Sequence, residues 1–305
     1  MKKLVSILKD LNPFSRREVD NKLIYTLKII ITVGVLYFVS LLIGEALIIG
    51  GSYAFGYNAT DKPMPYDIML LCSFYGYIIT IALFVIFSKK VNKISLDKIG
   101  LDKNLKTFFK GMLIGIISLA LIAGILSLCG AISFGGINNN INWLFFVLYL
   151  FGYLIQSTME ELVCRGYLFH RLKEKIPVIG AILISVLLFS VGHFSKLFSD
   201  GAAIGLIGIV NLMLISMIWI ITTMKDKNIY SAIVFHFIWN FALFSIVGLN
   251  LSGLEATNAI FKFSANNQFL TGCSYGIESS IVTTGVLSII LAVLAFKYRV
   301  KNKKD

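Results

Sequence analysis

The sequence predicts an all-α fold, a polytopic transmembrane helical bundle of about eight spans with both termini on the cytoplasmic side. Of the 305 residues, 57% are hydrophobic and only 14% are charged, and the mean hydropathy is +0.83. In soluble domains about a quarter of the residues are charged, so this chain has too few polar side chains to cover itself in water. The length of its apolar stretches and the distribution of Lys and Arg between them support the same fold.

Eight apolar stretches are long enough to be membrane spans, since a helix needs about 20 residues to cross the hydrocarbon core. None of them alternates polar and apolar residues with period two, so a transmembrane β-barrel is not expected. The predicted spans are residues 23–49, 67–88, 111–134, 143–165, 178–194, 202–223, 229–249 and 277–296.

The connections between these stretches alternate in their content of basic residues. The N-terminal segment, the second, fourth and sixth connections and the C-terminal tail together hold 24 Lys and Arg, whereas the other connections hold three. Because Lys and Arg favour the cytoplasmic side, both termini are predicted to be cytoplasmic. The expected organisation is a basic N-terminal segment over residues 1–22, a transmembrane bundle over 23–296 and a basic tail over 297–305.

Composition also narrows the class of function and the location. The formal net charge is +12, but the basic residues fall in short runs between apolar stretches, which reflects membrane topology and not a nucleic-acid-binding face. The four cysteines include no CxxC pair, so neither a disulfide framework nor a thiolate zinc site is predicted. The N-terminal segment is interpreted as a basic amphipathic surface segment and not as a cleaved signal peptide.

The frequent Lys, Ile and Asn are typical of an AT-rich bacterium, so the expected location is the bacterial cell membrane.

Charged residues within the spans separate into ordinary and unusual positions. Lys28 lies near the inner end of the first span, where a long side chain can extend to the interface, and Glu278 begins the last span and is expected to be interfacial. An ionised side chain nearer the bilayer centre costs about 2.5–3.5 kcal/mol on insertion scales. Such a residue is retained when it pairs, faces a cavity or takes part in chemistry.

The fourth span ends with two adjacent carboxylates, Glu160 and Glu161, followed by Arg165. Glu161 and Arg165 are four residues apart and share a helix face, so they are predicted to form an ion pair. Glu160 points about 100° away from Glu161 and has no such partner on its own helix. A helix that ended at Arg165 would leave the glutamates far in depth from His193, so residues 166–175 are predicted to continue the fourth helix.

The chain contains three histidines. His170, on the cytoplasmic side of the fourth span, is interpreted as a solvated interfacial residue. His193 ends the fifth span four residues after Phe189, and His236 lies inside the seventh span four residues before Asn240, so each pair shares a helix face. A lone histidine in an apolar helix is usually a packed, hydrogen-bonded residue. Two histidines, a carboxylate pair and an asparagine on three helices together indicate a shared functional site.

These residue types are sufficient for the hydrolysis of an amide bond. A carboxylate in low dielectric can take a proton from water, an imidazole can orient that water, and His and Asn can donate hydrogen bonds to an oxyanion. His and Glu are also zinc ligands, although the HExxH spacing is absent. A nucleophilic Cys164 is a weaker alternative, because the sequence gives it no base. A proton- or solute-coupled transporter is also weaker, because the sequence shows neither the clear repeats nor the broken helices that are usual in transporters.

At these residues the chain resembles the CPBP family, which groups CAAX-processing endopeptidases with bacterial homologues that include bacteriocin self-immunity proteins. The family motifs EExxxR, FxxxH and HxxxN are matched, in the family's order, by residues 160–165, 189–193 and 236–240. Each motif alone is weak, but the set in one eight-span chain is specific. The resemblance covers residues 143–245, which form the expected catalytic core of the bundle.

The resemblance implies an intramembrane metalloprotease-like peptidase with its site open toward the cytoplasm. The roles it implies are activation of water by Glu160 and His193, bracing of the site by the pair of Glu161 and Arg165, and an oxyanion hole formed by His236 and Asn240. Two mechanisms stay open, one with a divalent metal such as Zn²⁺ held by Glu160, His193 and His236, and one in which the glutamate acts without a metal.

The implied partners are membrane lipid and a peptide or protein substrate that is bound to the membrane or reaches it from the cytoplasm, with no nucleic acid. The alternative is a non-catalytic bacteriocin-immunity or envelope-regulatory membrane protein with the same fold. Because this chain keeps every motif residue, the enzyme is favoured.

Overall fold

The computed structural model describes residues 2–58, 60–102 and 106–302. The structure is 73% helical with one short strand pair, which agrees with the predicted helical bundle. Three single turns of 3₁₀ helix, Leu96–Ile99, Cys273–Tyr275 and Ile277–Ser279, lie in the connections. The helices and strands are, in chain order, α1 (Lys2–Leu11), α2 (Lys22–Ala54), α3 (Tyr66–Val91), α4 (Thr107–Leu128), β1 (Ile132–Ile137), α5 (Trp143–Leu172), α6 (Val178–Val191), α7 (Phe194–Leu197), α8 (Ala202–Asp226), α9 (Tyr230–Val247), β2 (Phe261–Ala265), α10 (Gln268–Thr271) and α11 (Ile281–Asn302).

Within the described ranges, seven helices are long and apolar enough to cross a membrane, namely α2, α3, α4, α5, α8, α9 and α11. They correspond to seven of the eight predicted spans. The remaining predicted span, residues 178–194, forms helix α6, which has only 14 residues. Such a helix is about 21 Å long, shorter than the hydrocarbon core of about 30 Å. The chain is a multi-pass membrane protein whose bundle contains one shortened apolar helix.

Helix α5 continues past Arg165 to Leu172, which confirms the predicted extension of the fourth helix as far as that residue. Its stretch Leu162–Phe169 is π-helical and begins directly after the two glutamates. Short π-helical stretches within α-helices occur frequently at functional sites. The extension places Glu160 near the middle of a 30-residue helix and not at its end.

The predicted third span is too long at its C-terminal end. Helix α4 ends at Leu128, and the following residues form β1, which pairs antiparallel with β2 and sets Phe134 opposite Phe263. The register shifts between Phe134 and Ile137, where Gly136 has a φ of +107° that glycine adopts readily. The sequence missed this strand because periodicity does not distinguish a short apolar strand from the end of a helix.

The chain forms two compact units by its internal contacts. The first consists of Met1–Lys103 and Thr158–Ser185, and the second of Asn104–Ser157 and Val186–Asp305. Helix α5 therefore contributes Gln156 to the second unit and Glu160 to the first.

Close packing of helices holds each unit together. In the first unit α2 packs along α3, and the Thr80 hydroxyl donates to Ser40 Oγ over 2.8 Å. In the second unit α4 packs against α9 so closely that a Cβ atom at Gly111 would collide with the backbone of Ser231. Small residues permit such approach between transmembrane helices, where lipid offers no hydrophobic driving force for association.

Within each unit, connections predicted to share one side of the membrane lie together. In the first unit, Arg16 of the N-terminal segment donates to the carbonyl of Val91 over 3.1 Å, and Lys175 after α5 donates to that of Val19 over 3.0 Å. In the second unit, Lys110 at the start of α4 pairs with the Asp226 carboxylate, which ends α8, at 2.6 Å. This grouping agrees with the alternation of basic connections along the chain.

Two charged side chains expected near the membrane interface are hydrogen-bonded within the protein. Lys28 is buried, and its Nζ donates to the carbonyl of Ser15 over 2.7 Å. Glu278 is also buried, in the last 3₁₀ turn, and accepts hydrogen bonds from Trp239 Nε1 at 3.1 Å and from the backbone N–H of Ser252 at 2.7 Å. Other segments of the chain therefore supply polar partners that the spans themselves lack, and the interfacial depth of both residues stays a prediction.

Candidate active site

Glu161 and Arg165 form the ion pair that their spacing predicts. Arg165 Nη1 donates to Glu161 Oε1 over 3.0 Å, and both side chains are fully buried. The backbone of α5 places them one turn apart on a shared face. Because a buried charge without its partner is costly, the pair fixes the side-chain arrangement of this stretch of α5 in the first unit.

Glu160 is the more accessible of the two glutamates. It is partly exposed, whereas Glu161 is fully buried. Its carboxylate lies within electrostatic range of Tyr37 on α2 and Tyr77 on α3, both in the first unit. Phenol hydroxyls can donate hydrogen bonds to a carboxylate or to water beside it. A partly exposed carboxylate in polar surroundings is suited to exchange a proton with water.

His170 is not the solvated residue that the sequence predicted. Its side chain is only 8% exposed, and its Nδ1 lies 2.5 Å from the carbonyl oxygen of Arg165. Since a carbonyl oxygen can only accept, Nδ1 is the donor in this contact. The prediction failed because α2 and the 3₁₀ turn Leu96–Ile99 pack against the end of α5 within the first unit. His170 is thereby buried, and it braces the π-helical stretch.

In the second unit, Phe189 contacts both histidines of the predicted site. Its ring centroid lies 4.9 Å from that of His193 and 6.1 Å from that of His236. It also meets the indole of Trp219 edge-on at 5.5 Å. Phe189, the first residue of the FxxxH motif, therefore positions two imidazoles, that of His193 after α6 and that of His236 on α9.

His193 follows the last residue of α6 and is oriented by its own main chain. Its Nδ1 lies 3.1 Å from the carbonyl oxygen of Phe189. The carbonyl requires a donor, so Nδ1 carries the proton of the neutral ring and Nε2 is the basic nitrogen. A ring held in this way can accept a proton from a water molecule through Nε2.

His236 is buried on α9 and stacks on Trp219 of α8. The two ring centroids are 4.1 Å apart and the ring planes differ by 17°. The stack fixes the plane of the imidazole and thus the direction in which its N–H groups point. Sequence reasoning missed Trp219, because an aromatic residue in an apolar span gives no signal that separates it from ordinary core.

Asn240 is oriented by Gln156, a residue to which the sequence reasoning assigned no role. Asn240 Nδ2 donates to Gln156 Oε1 over 2.8 Å, and both side chains are buried. An amide nitrogen carries two hydrogens, so this bond uses one and sets the direction of the other. A signal for Gln156 did exist, since it is a polar residue in an apolar helix, four residues before Glu160 and so near the same helix face.

The structure thus arranges the predicted site residues in two groups. The first unit holds Glu160 and the ion pair of Glu161 with Arg165. The second unit holds the two site histidines against a shared aromatic residue, with Asn240 held by an amide on α5. The ion pair holds the side chains of the first group, and the ring contacts and the amide hydrogen bond hold those of the second.

One of the two mechanisms left open by the sequence uses a divalent metal held by Glu160, His193 and His236. Among the residues that the structure describes, His, Cys, Asp and Glu form no group of three or more that could hold a metal ion. The chemistry proposed below is written for the residues of the chain and contains no step through a metal.

The similarity of this chain to known proteins lies in the segment that contains the candidate site. No curated protein matches the chain. Residues 142–242 match the family model described as "Type II CAAX prenyl endopeptidase Rce1-like", which covers about a third of the chain. The matched segment contains all six predicted site residues, together with Gln156, Phe189 and Trp219. This segment, and with it the candidate site, is therefore similar to the Rce1-like type II CAAX prenyl endopeptidases.

Proposed function

We propose that this protein is an intramembrane endopeptidase of the CPBP type, which uses water to cleave a membrane-associated peptide or protein. The observation that carries the proposal is the orientation of His193 within the family-matched segment. The contact of its Nδ1 with the carbonyl of Phe189 leaves Nε2 as a base. His170 makes the same kind of contact, so the proposal rests on this orientation together with the position of His193 in the segment that matches the family model.

In the proposed reaction, Glu160 and His193 activate the nucleophile. They accept a proton from a water molecule, and the resulting hydroxide oxygen attacks the carbonyl carbon of the scissile peptide bond. The buried pair of Glu161 and Arg165 acts by bracing α5 beside Glu160. The partial exposure of Glu160 supports its role, because a proton acceptor must reach water.

Stabilisation of the oxyanion is assigned to His236 and Asn240. As the carbonyl oxygen gains negative charge, an N–H of each side chain donates a hydrogen bond to it. Trp219 and Gln156 position these donors through the stack and the hydrogen bond described above. The C–N bond then breaks, and the amine leaves with the proton that was taken from water.

The proposed setting is the bacterial cell membrane with both termini in the cytoplasm. The alternation of basic connections supports this orientation. The proposed substrate is a peptide or protein at the cytoplasmic side of the membrane, without a commitment to a prenylated substrate.

A comparison of peptide termini in membranes tests the proposal. Host cells produce the wild type, Glu160→Gln, His193→Ala or Glu45→Gln, and newly formed termini of membrane proteins are quantified by mass spectrometry at equal expression. Glu45 is a matched control because it is a carboxylate on transmembrane helix α2, outside the three motifs. The new termini should appear with the wild type and Glu45→Gln, and should be lost in the other two variants.

Cleavage that persists in both motif variants would refute the catalytic assignment. An absence of cleavage by the wild type, with a cellular phenotype that survives in Glu160→Gln and His193→Ala, would support the non-catalytic immunity or regulatory protein. Treatment of the purified protein with a chelator separates the two mechanisms. Unchanged cleavage supports a glutamate that acts without a metal, and cleavage that is lost and then restored by Zn²⁺ supports a bound metal.

A further inference from the structure

The first unit contains a polar cavity of about 380 Å³ at the end where its basic connections meet. It is lined by the N-terminal segment, the first turns of α2, the end of α3 with the residues that follow it, and the end of α5 with the residues that follow it. Six of the lining side chains are cationic and two are carboxylates. The volume lies within the range of small-molecule sites, about 300–1,000 Å³, and the charge of the lining selects for an anion.

Both carboxylates of the lining are engaged by cations of the same wall. Glu174 accepts two hydrogen bonds from Arg171 Nη1 at 2.5 and 2.6 Å, and a third from the hydroxyl of Tyr25 at 3.1 Å. Glu18 pairs with Lys175 at 3.4 Å. These pairs rigidify the wall and leave the remaining four cations to set the sign of the potential inside the cavity.

Two of those four cations are held by backbone carbonyls. Arg16 donates to the carbonyl oxygens of Lys90 and Val91 at 3.0 and 3.1 Å. Lys28 donates to that of Ser15 at 2.7 Å. Carbonyl oxygens orient these side chains without cancelling their charge. The positive lining is therefore already in place before a ligand binds, which lowers the ordering cost of binding.

The other two cations, Arg17 and Lys93, are exposed at the cavity. Arg17 is within 3.6 Å of Asp10, which does not line the cavity. Lys93 has a positive φ of +55°, an uncommon conformation for a residue with a side chain, and such outliers cluster at ligand clamps. Both side chains can turn toward a ligand without breaking a buried contact.

The neighbouring helix α1 indicates the depth of the cavity. Leu4, Val5 and Leu8 of α1 are exposed, and Phe14 just after it is 59% exposed. An amphipathic basic helix with an unburied apolar face lies in the plane of the membrane interface, with that face in the acyl boundary. The cavity, lined by the residues that follow α1, is thereby placed at the level of lipid head groups.

We propose that this cavity binds a phosphate group, carried by the head group of an anionic phospholipid or by a soluble phosphate ester. Its oxygens accept hydrogen bonds from Arg17 and Lys93 at the mouth, against the fixed charges of Arg16 and Lys28. Basic pockets at the ends of transmembrane helices bind lipid head groups in this way. The site is independent of the proposed peptidase, since most of its lining lies outside residues 142–242.

Native mass spectrometry of the full-length protein in detergent tests the site, with phosphatidylglycerol and phosphatidylcholine as probes. The variant Arg17→Gln/Lys93→Gln removes the two mouth cations. The variant Lys89→Gln/Lys98→Gln is the control. It removes the same charge from two exposed positions that do not line the cavity, one in the last turn of α3 and one in the 3₁₀ turn Leu96–Ile99. The wild type should prefer phosphatidylglycerol. The mouth variant should bind it about 30-fold more weakly, roughly fivefold for each basic residue, and the control should match the wild type.

Soluble glycerol 3-phosphate distinguishes the two sources of the phosphate. If it displaces phosphatidylglycerol from the wild type and binds more weakly to the mouth variant, the site accepts a soluble ester. If only the lipid binds, the site is specific for a head group. Equal losses in both double variants, or equal retention of the two lipids by the wild type, would overturn the proposal. Thermal unfolding checks folding, and Lys93→Gln alone replaces the double variant if that variant is unstable.

Discussion

The side-chain amide of Asn240 donates a hydrogen bond to Oε1 of Gln156 over 2.8 Å, which links α9 to α5 inside the second unit. The bond joins a residue of the HxxxN motif to a residue outside all three motifs. Gln156 is therefore a positioning residue in the proposed reaction. It acts through Asn240 and does not touch the reacting atoms.

Replacement of Gln156 by leucine should lower kcat with little change in KM. The substitution keeps the volume but removes the acceptor that aligns Asn240. Loss of one oxyanion donor costs about 100–1,000-fold in kcat, so misalignment of a retained donor should cost about 10–100-fold. Steady-state kinetics with a substrate identified from the peptide-termini comparison would measure the effect.

The neighbouring serine provides the control for Gln156. Ser157 Oγ approaches the same Gln156 oxygen at 3.4 Å, a weaker contact than that of Asn240. Ser157→Ala should therefore retain kcat within about threefold. Equal loss of kcat in Ser157→Ala and Gln156→Leu would mean that the helix segment is generally sensitive and that the amide contact has no specific role.

Two substitutions of Trp219, one aromatic and one aliphatic, test the role of its stack on His236. Trp219→Phe keeps an aromatic ring beside His236 and should retain most of the cleavage activity, whereas Trp219→Leu removes the stack. A misplacement of about 1 Å can reduce a catalytic rate by about 100-fold, so a large decrease in kcat is expected for Trp219→Leu alone. Comparison of kcat at matched folded fraction, measured by thermal unfolding, checks this. Equal activity of the two variants would argue against the stack as the orienting contact.

The buried pair of Glu161 and Arg165 should show strong coupling in stability. Arg165→Met leaves a carboxylate buried without its ionic partner, which should lower the free energy of unfolding by about 3–5 kcal/mol. Glu161→Leu/Arg165→Met removes both charges and should recover most of that loss. A double-mutant cycle from thermal or denaturant unfolding in detergent measures the coupling, and additive effects of the two single changes would contradict the expected dependence.

Glu278 should contribute to stability through three hydrogen bonds within the second unit. It accepts from Trp239 Nε1, from Ser252 N–H and from the Ser252 hydroxyl at 3.1, 2.7 and 2.6 Å. Glu278→Gln removes the charge from these bonds and should lower the free energy of unfolding by about 1.5–3 kcal/mol. Glu255→Gln is the control, since Glu255 is exposed in the same connection and should change stability by less than about 0.5 kcal/mol. Equal unfolding of the two variants would contradict the role of Glu278.

The sequence by itself determined the features that depend on neighbouring residues along a helix. The length of the apolar stretches predicted eight spans, seven of which are helices long enough to cross a membrane in the described part of the chain, because crossing the hydrocarbon core sets a minimum length. The four-residue spacing of Glu161 and Arg165 predicted their ion pair, because helix geometry alone brings such residues together. The same rule placed Phe189 beside His193.

The tertiary structure decided the features that depend on contacts between distant segments. It shortened α6, formed the strand pair that replaced the end of the third predicted span, and buried His170 within the first unit. It also brought Trp219 against His236 and Gln156 against Asn240, contacts between residues that are well separated in sequence. The physical reason is that packing between helices depends on the shapes of whole faces, whereas local periodicity reports only which face of one helix is apolar.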